Sequence, residues 1–238
     1  MKNLFKNPKT RMRNLLLVIL PFVVLIIVFG FISVKSISSI SGNSSGTSTD
    51  SYKDSIDSYD YHLRSNATKY QEELFNKLSD AIDDGSDKSE IAKLVAENFV
   101  ADFYTWTNKE NSYDVGGMYY VYSPQKVTIY HNARDDYYKY LTYYINTFGS
   151  DKLLEVESIE SEVSDEAGTY ELDGKTYDSY YVTCNWTYKN LDTFSSIKKV
   201  QTGSSSDYET VDDFVTCCHF TIIENEGGRF EIVQAYGN

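Results

Sequence analysis

Residues 170–190 read YELDGKTYDSYYVTCNWTYKN, and this stretch decides the fold. Asp173-Gly174 is a strong signal for a two-residue β-hairpin turn, because both residue types tolerate the left-handed backbone that such a turn requires. Beyond the turn, side chains of two kinds alternate. One face carries Tyr180, Val182, Cys184, Trp186 and Tyr188, and the other carries Tyr181, Thr183, Asn185 and Thr187. This alternation predicts a long antiparallel strand with one face against a core.

Two neighbouring regions show the same alternation of apolar and polar side chains, with a period of two residues. Residues 152–163 (KLLEVESIESEV) predict a strand with a bulge near Ser158, where the alternation slips by one residue. Residues 212–238 (DDFVTCCHFTIIENEGGRFEIVQAYGN) predict two strands joined by a turn at residues 225–228. The C-terminal half is therefore predicted to be an antiparallel sheet.

In the residues before this sheet, the apolar side chains recur with the spacing of an α-helix. Residues 68–85 place their apolar side chains on one helical face, and residues 87–106 are apolar around much of the helix. A helix of the second kind is expected at the centre of the fold, packed on both sides. Residues 133–149 predict a third helix, capped by Asn132 and ended by Gly149.

Residues 118–131 (MYYVYSPQKVTIYH) lie between the second and third predicted helices, and they are interpreted as a short strand or an irregular segment. Helices followed by antiparallel strands predict an α+β fold, with the helices packed against one face of a curved sheet.

The first 34 residues have a different composition. They contain no acidic residue, and residues 1–13 carry five basic ones. Residues 15–32 are an uninterrupted apolar run, and about 20 apolar residues in a helix are enough to cross a bilayer. The positive-inside rule places residues 1–13 in the cytoplasm and the remainder outside. We interpret residues 14–34 as an uncleaved transmembrane helix of a single-pass cell-membrane protein, with a cleaved signal peptide as the alternative.

The segment after the predicted membrane helix is polar. Residues 36–51 (SISSISGNSSGTSTDS) are too rich in Ser, Gly and Thr to bury a core. We therefore predict a flexible stalk over residues 35–66 and an extracytoplasmic α+β domain over residues 67–238.

The charge of the chain argues against nucleic acid as a partner. Five of the 22 basic residues lie in the N-terminal head, so the remainder has 17 against 35 acidic residues, a formal charge of −18. Such a surface repels phosphate backbones. Direct nucleic-acid binding by the main domain is therefore excluded, and the expected partners are the bilayer, through residues 14–34, and proteins.

The sequence has no pattern that indicates a catalytic, cofactor or metal site. Its three cysteines, Cys184, Cys217 and Cys218, lack the spacing of metal ligands. Adjacent Cys217 and Cys218 are expected on opposite faces of a strand. The sequence leaves open whether Cys184 forms a disulfide bond with either of them.

The chain has 22 tyrosines, whose apolar ring and polar tip suit half-buried walls and interfaces. The spacing of Phe99, Phe103 and Trp106 predicts that they face the sheet, and a turn at residues 115–117 (VGG) brings the next aromatics to the same core. The candidate pocket or interface residues are Phe103, Trp106, Tyr119, Tyr137, Tyr144, Trp186 and His219.

Helices followed by strands that end in GGRFEIVQAYG (residues 227–237) resemble the nuclear transport factor 2-like fold, in which a curved sheet wraps around a helix like a cone. The basic head, the single anchor and FVADFYTWTNKE (residues 99–110) are similar to membrane-anchored assembly subunits of type IV secretion and conjugation systems. The resemblance implies a non-enzymatic domain that contacts partner proteins in the cell envelope, with self-association left open. The alternative is a module whose cone holds a small apolar ligand or a glycan, and an enzyme comes third.

Overall fold

A computed structural model describes residues 53–164, 168–189 and 215–237. Its helices and strands are, in chain order, β1 (Ser55–Ile56), β2 (Tyr61–His62), α1 (Lys69–Asp83), α2 (Lys88–Tyr104), α3 (Lys126–Asp135), α4 (Leu141–Phe148), β3 (Val156–Val163), β4 (Gly168–Leu172), β5 (Lys175–Tyr188), β6 (Cys217–Glu224) and β7 (Phe230–Gly237). The fold is α+β: four helices pack on an antiparallel sheet, and they precede that sheet in the chain as predicted.

Among the described residues, the main sheet has five strands, in the order β3-β5-β6-β7, with β4 also paired to β5. The predicted hairpin turn is confirmed, because Asp173 and Gly174 have φ values of 53° and 79° between β4 and β5. The predicted bulge in β3 is also confirmed by a register shift between Val156 and Ser158. β5, 14 residues long, therefore organises the sheet.

The alternation predicted for β5 separates the two faces of the sheet. Val182, Cys184, Trp186 and Tyr188 are buried in the core beneath the helices. We call the opposite side the outer face, defined by Tyr181, Thr183 and Asn185 of β5, Cys217 and His219 of β6, and Tyr236 of β7. Cys184 and Cys218 are opposite each other in the register of β5 and β6, on the core side, while Cys217 lies on the outer face. All three are free thiols, so no disulfide joins them.

The second helix is the central one, as predicted. In α2, 11 of 17 residues are buried. Two buried amides fasten α1 to it, since Gln71 donates to the carbonyl of Ala101 (2.9 Å) and Asn98 donates to the carbonyl of Leu74 (3.2 Å). Thr68 caps α1 reciprocally with Gln71, a capping box at the start of the first predicted helix.

The single helix predicted for residues 133–149 is wrong. The chain forms α3, which starts at Lys126, then a turn, then α4, so Asn132 lies inside a helix rather than at a cap. The break lets two consecutive tyrosines, Tyr137 and Tyr138, both contact the ring of Phe103, whereas neighbours in a continuous helix diverge by about 100°. Within residues 118–131, a lone bridge between Val121 and Ile232 is the part that pairs with the sheet.

The predicted stalk extends too far into the chain. Residues 53–66 form β1, a single 3-10 turn and β2, and they belong to the domain. Tyr61 is fully buried, and its hydroxyl donates to the carbonyl of Phe230 at 2.5 Å. The segment is polar on average, and this led to the stalk prediction, but two of its residues, Ile56 and Tyr61, are buried against the core.

Within residues 53–164, 168–189 and 215–237, the structure contains no helix with the length and apolar character needed to cross a membrane. The predicted membrane helix at residues 14–34 and most of the predicted stalk lie outside the described residues.

Candidate functional site

The space between the helices and the sheet is filled by aromatic rings. The ring of Phe103 lies 4.9 Å from that of Tyr104 and 5.4 Å from that of Tyr137. Tyr104 in turn lies 4.4 Å from Trp186 of β5, so the rings connect α2 to the sheet. We call this set the aromatic interior; it consists of Phe99, Phe103, Tyr104, Trp106, Tyr137, Tyr138, Tyr144, Trp186 and Tyr188.

Five of the seven predicted candidate residues belong to the aromatic interior: Phe103, Trp106, Tyr137, Tyr144 and Trp186. The other two lie apart on the surface. Tyr119 is 44% exposed, and its ring lies 5.0 Å from that of His62, while its neighbours Tyr120 and Val121 are the residues that enter the core. His219 is exposed on the outer face, where its Nδ1 lies 2.9 Å from the Thr183 hydroxyl.

The chemistry of the aromatic interior is that of a core. Burial raises the pKa of Tyr104, Tyr137 and Tyr138 well above the ordinary value, so these phenols stay protonated at physiological pH. The Tyr138 hydroxyl donates to the carbonyl of Phe103 at 2.5 Å, and that of Tyr188 donates to Val215 at 2.9 Å. These two hydroxyls therefore donate their hydrogen bonds to backbone carbonyls of the protein itself.

A group of four charged residues, which sequence reasoning missed, lies at the end of α2. We call Arg64, Asp102, Lys109 and Asp114 the Asp102 cluster. Arg64 Nε lies 2.8 Å from one Asp102 oxygen, and Lys109 Nζ lies 3.0 Å from the same atom. Arg64 also reaches Asp114 at 3.0 Å. The cluster joins three separate parts of the chain: the strand β2 region, α2 and the loop after it.

Burial and charge act in opposite directions on the ionised groups of this cluster. Burial alone would raise the pKa of Asp102, but the charges of Lys109 and Arg64 outweigh it and hold that pKa at about 2. Burial lowers the pKa of Lys109, and the attraction of Asp102 offsets this only in part. The pairing therefore favours the charged form of a fully buried lysine.

Two glycines of the VGG turn let the loop close on the Asp102 cluster. The amide of Gly117 donates to the second Asp102 oxygen at 2.6 Å. A Cβ on Gly117 would lie 2.7 Å from the ring of Phe99, and one on Gly116 would lie 2.3 Å from the Asp102 carbonyl oxygen. Glycine is required at both positions because the backbone of the loop packs directly on α2.

The signal that would have found this cluster is Asp102 itself. It stands as a lone carboxylate inside the apolar run NFVADFYTW at residues 98–106. A charge at such a position must be paired, but the sequence does not indicate that Arg64, 38 residues away, supplies the partner.

A surface cleft of about 550 Å³ lies beside the Asp102 cluster, with His62, Glu110, Met118 and Tyr119 among its lining residues. Its volume falls in the range of small-molecule sites, about 300–1,000 Å³. The charged residues of the Asp102 cluster that line it, however, already bind one another, and Arg64 Nη1 also donates to the carbonyl of Asn108 at 3.1 Å. The cluster is therefore best understood as a structural clamp.

The outer face carries exposed tyrosines. Tyr181 and Tyr236 are 43% and 39% exposed. Tyr170 of β4 pairs with Tyr177 of β5, whose side chain is on the same side of the strand as that of Tyr181, so Tyr170 also lies on the outer face. Three tyrosines therefore gather on the side of the sheet opposite α2.

In the described part of the chain, no group of three or more His, Cys, Asp or Glu side chains is arranged to hold a metal ion. Comparison with protein families, with curated proteins and with solved structures gave no match to this chain.

Proposed function

We propose that the chain is a single-pass membrane protein whose residues 53–237 form an extracytoplasmic domain that binds other proteins. The observation that carries this proposal is the aromatic interior. Trp106 and Trp186 are 0% and 4% exposed, and their neighbours fill the space in which members of a cone-shaped fold would hold a ligand. Binding is therefore assigned to the surface.

The N-terminal sequence supports the membrane anchor. Residues 15–32 are continuously apolar, and five basic residues precede them. This order favours a cytoplasmic N-terminus and an extracytoplasmic domain.

The position of α2 supports a nuclear transport factor 2-like arrangement. α2 contacts β3, β5, β6 and β7, as a helix enclosed by a curved sheet would. With the anchor, this arrangement favours an assembly subunit of a cell-envelope, secretion or conjugation system, and a second copy of this chain is an alternative partner.

The partner surface that fits best is the outer face. Tyr170, Tyr181 and Tyr236 offer apolar area with polar tips, and tyrosine is enriched in the cores of protein interfaces. Tyrosine has only two side-chain torsions, so ordering these rings when a partner binds costs little conformational entropy.

A small-ligand or glycan module is the second candidate. It has less support, because the aromatic rings occupy the interior and the charges beside the surface cleft are paired with one another.

The test is affinity capture of the tagged full chain from crosslinked native membranes. The variant Tyr181→Ser/Tyr236→Ser removes the two exposed rings of the outer face. Tyr143→Ser is the matched control, because Tyr143 is also a 44% exposed tyrosine but lies on α4. We expect a reproducible set of membrane proteins with the parent chain and the control, and its loss with the double variant.

Recovery of the chain alone, folded and in the membrane fraction, would overturn the proposal of a protein-binding domain. Equal recovery of partners by the parent and the double variant would overturn the assignment to the outer face. Equal thermal midpoints of the three chains would show that loss of partners does not reflect unfolding.

A further inference from the structure

One segment of the domain has no acidic residue in its sequence, although Asp60 and Glu231 from other segments lie near its Lys126. Residues 115–134 contain none, and this is the longest such stretch beyond Asp50 in a chain with 35 acidic residues. It includes Lys126 and Arg134 and forms two 3-10 turns followed by most of α3.

Exposed apolar groups lie on the same surface. Val127 is 69% exposed, and Tyr113 and Tyr119 are 67% and 44% exposed. These side chains form a connected surface that we call the α3 face; it consists of Tyr113, Tyr119, Lys126, Val127, Tyr130 and Arg134.

Local contacts organise the α3 face. Lys126 Nζ lies 5.9 Å from the centre of the Tyr119 ring, and the Arg134 guanidinium lies 5.6 Å from that of Tyr113. The Tyr130 hydroxyl donates to the Tyr113 carbonyl at 3.0 Å. Arg134 is also paired with Asp135 at the end of α3. Lys126 is therefore the cation on which the inference depends.

The described chain begins on α1, where the amide of Lys53 donates to the Asn76 side chain at 3.3 Å, and the β1–β2 pair that follows reaches the α3 face. The amide of Leu63 donates to the carbonyl of Asp54 at 2.9 Å, and the ring of the adjacent His62 lies 5.0 Å from the ring of Tyr119. The start of β1 is thereby fixed close to Tyr119. Residues 35–52 separate the predicted membrane helix from Lys53, and 18 residues reach at most about 60 Å when fully extended.

The remaining charge of the chain determines which side can approach a bilayer. Beyond residue 34 the formal charge is −18, so most of the domain surface is repelled by anionic headgroups. Tyrosine rings sit favourably at the headgroup level, and a nearby lysine is attracted to anionic lipids. The α3 face combines these properties.

We propose that the α3 face is the membrane-contacting surface of the domain and binds the anionic phospholipid headgroups of the bilayer that anchors the chain. This inference rests on the proposed function, because it takes the anchor at residues 14–34 as given.

The test uses the full chain in liposomes. Cys217→Ser removes the half-exposed thiol, and Val127→Cys then carries an environment-sensitive fluorophore on the α3 face. Asn185→Cys is the matched control, an exposed position on the outer face. Liposomes contain phosphatidylcholine alone or mixed with phosphatidylglycerol, together with a nitroxide-labelled lipid that quenches a probe near the headgroups.

We expect quenching at position 127 in the anionic liposomes and its loss in phosphatidylcholine alone, with no quenching at position 185. Lys126→Glu should abolish the quenching. Lys69→Glu, the same charge change at an exposed site on α1, should leave it unchanged. Equal thermal midpoints of the labelled chains would show that neither substitution unfolds the domain.

Equal quenching at positions 127 and 185, with the chain retained in alkali-washed vesicles, would overturn this inference and leave the anchor standing. Quenching that is the same in both lipid mixtures would overturn the role of anionic headgroups. Loss of the chain from the washed vesicles would overturn the anchor and this inference together.

Discussion

The ammonium group of Lys109 lies 3.0 Å from a carboxylate oxygen of Asp102, and the Lys109 side chain is fully buried. A buried cation is tolerated only when an anion and further hydrogen bonds replace its lost water. Asp102 supplies the anion, and the side-chain oxygen of Asn108 accepts a second bond at 3.0 Å. The end of α2 and the following loop therefore depend on this pair.

Asp102→Asn should destabilise the domain by about 3–5 kcal/mol, because it leaves the Lys109 ammonium buried without its counter-charge. Urea unfolding of the full chain in detergent, followed by circular dichroism, measures the change. Asp135→Asn removes the exposed partner of Arg134 and should change stability by less than about 0.5 kcal/mol. Equal effects of the two substitutions would contradict the role of the Asp102 cluster.

The same pair predicts a pH dependence. The pKa of Asp102 falls from 3.8 to about 2 on folding, so its ionisation favours the folded state. This contribution, about 2 kcal/mol, is fully present above pH 4 and is lost as the pH falls towards 2. The stability gap between the parent and Asp102→Asn should therefore narrow over this interval, and a constant gap would argue against it.

Gly117 and Gly228 have nearly the same left-handed backbone, with φ values of 77° and 78°. Comparing alanine substitutions at the two positions therefore separates the cost of backbone strain from the cost of steric contact. An added Cβ meets the Phe99 ring at 2.7 Å in the first case and nothing within 4 Å in the second. Gly228→Ala should cost about 1–2 kcal/mol from the left-handed backbone alone. Gly117→Ala should cost about 1–3 kcal/mol more, because the loop must also move off α2.

The thermal midpoints of the two glycine variants provide the comparison. A smaller shift for Gly117→Ala than for Gly228→Ala would show that the VGG turn is not held against α2.

Tyr61→Ala tests whether residues 53–66 belong to the domain. Tyr61 is fully buried, lies 5.1 Å from the Tyr120 ring and stacks beneath Arg229. We expect a loss of about 3–5 kcal/mol, typical of deleting a large aromatic side chain from a core. Tyr113→Ala, at a 67% exposed position, should change unfolding by less than about 0.5 kcal/mol. A Tyr61→Ala variant as stable as the parent would instead support the prediction that residues 35–66 are a stalk outside the domain.

The sequence predicted those parts of the fold whose determinants are local. The Asp173-Gly174 turn and the alternation along β5 are set by neighbouring residues, and both are observed. The all-round apolar character of α2 likewise indicated its central position. Period and turn chemistry were sufficient for these elements.

The errors fall where distant contacts override local pattern. The continuous helix predicted over residues 133–149 has good periodicity, but Tyr138 bonds to the carbonyl of Phe103 and the helix breaks. Residues 53–66 are polar on average, yet Tyr61 reaches Phe230, 169 residues away. Of the candidate residues, the sequence identified the aromatic interior but not the Asp102 cluster, whose members come from separate segments.

The chain has two tryptophans, and the aromatic interior encloses both of them. Their intrinsic emission should therefore be blue-shifted and should respond to events in that interior alone. A protein bound at the outer face, or lipid at the α3 face, should leave the spectrum unchanged. A small molecule that entered between the helices and the sheet would quench or shift it. The unlabelled chain thus has a built-in optical means of separating an internal ligand from a surface partner.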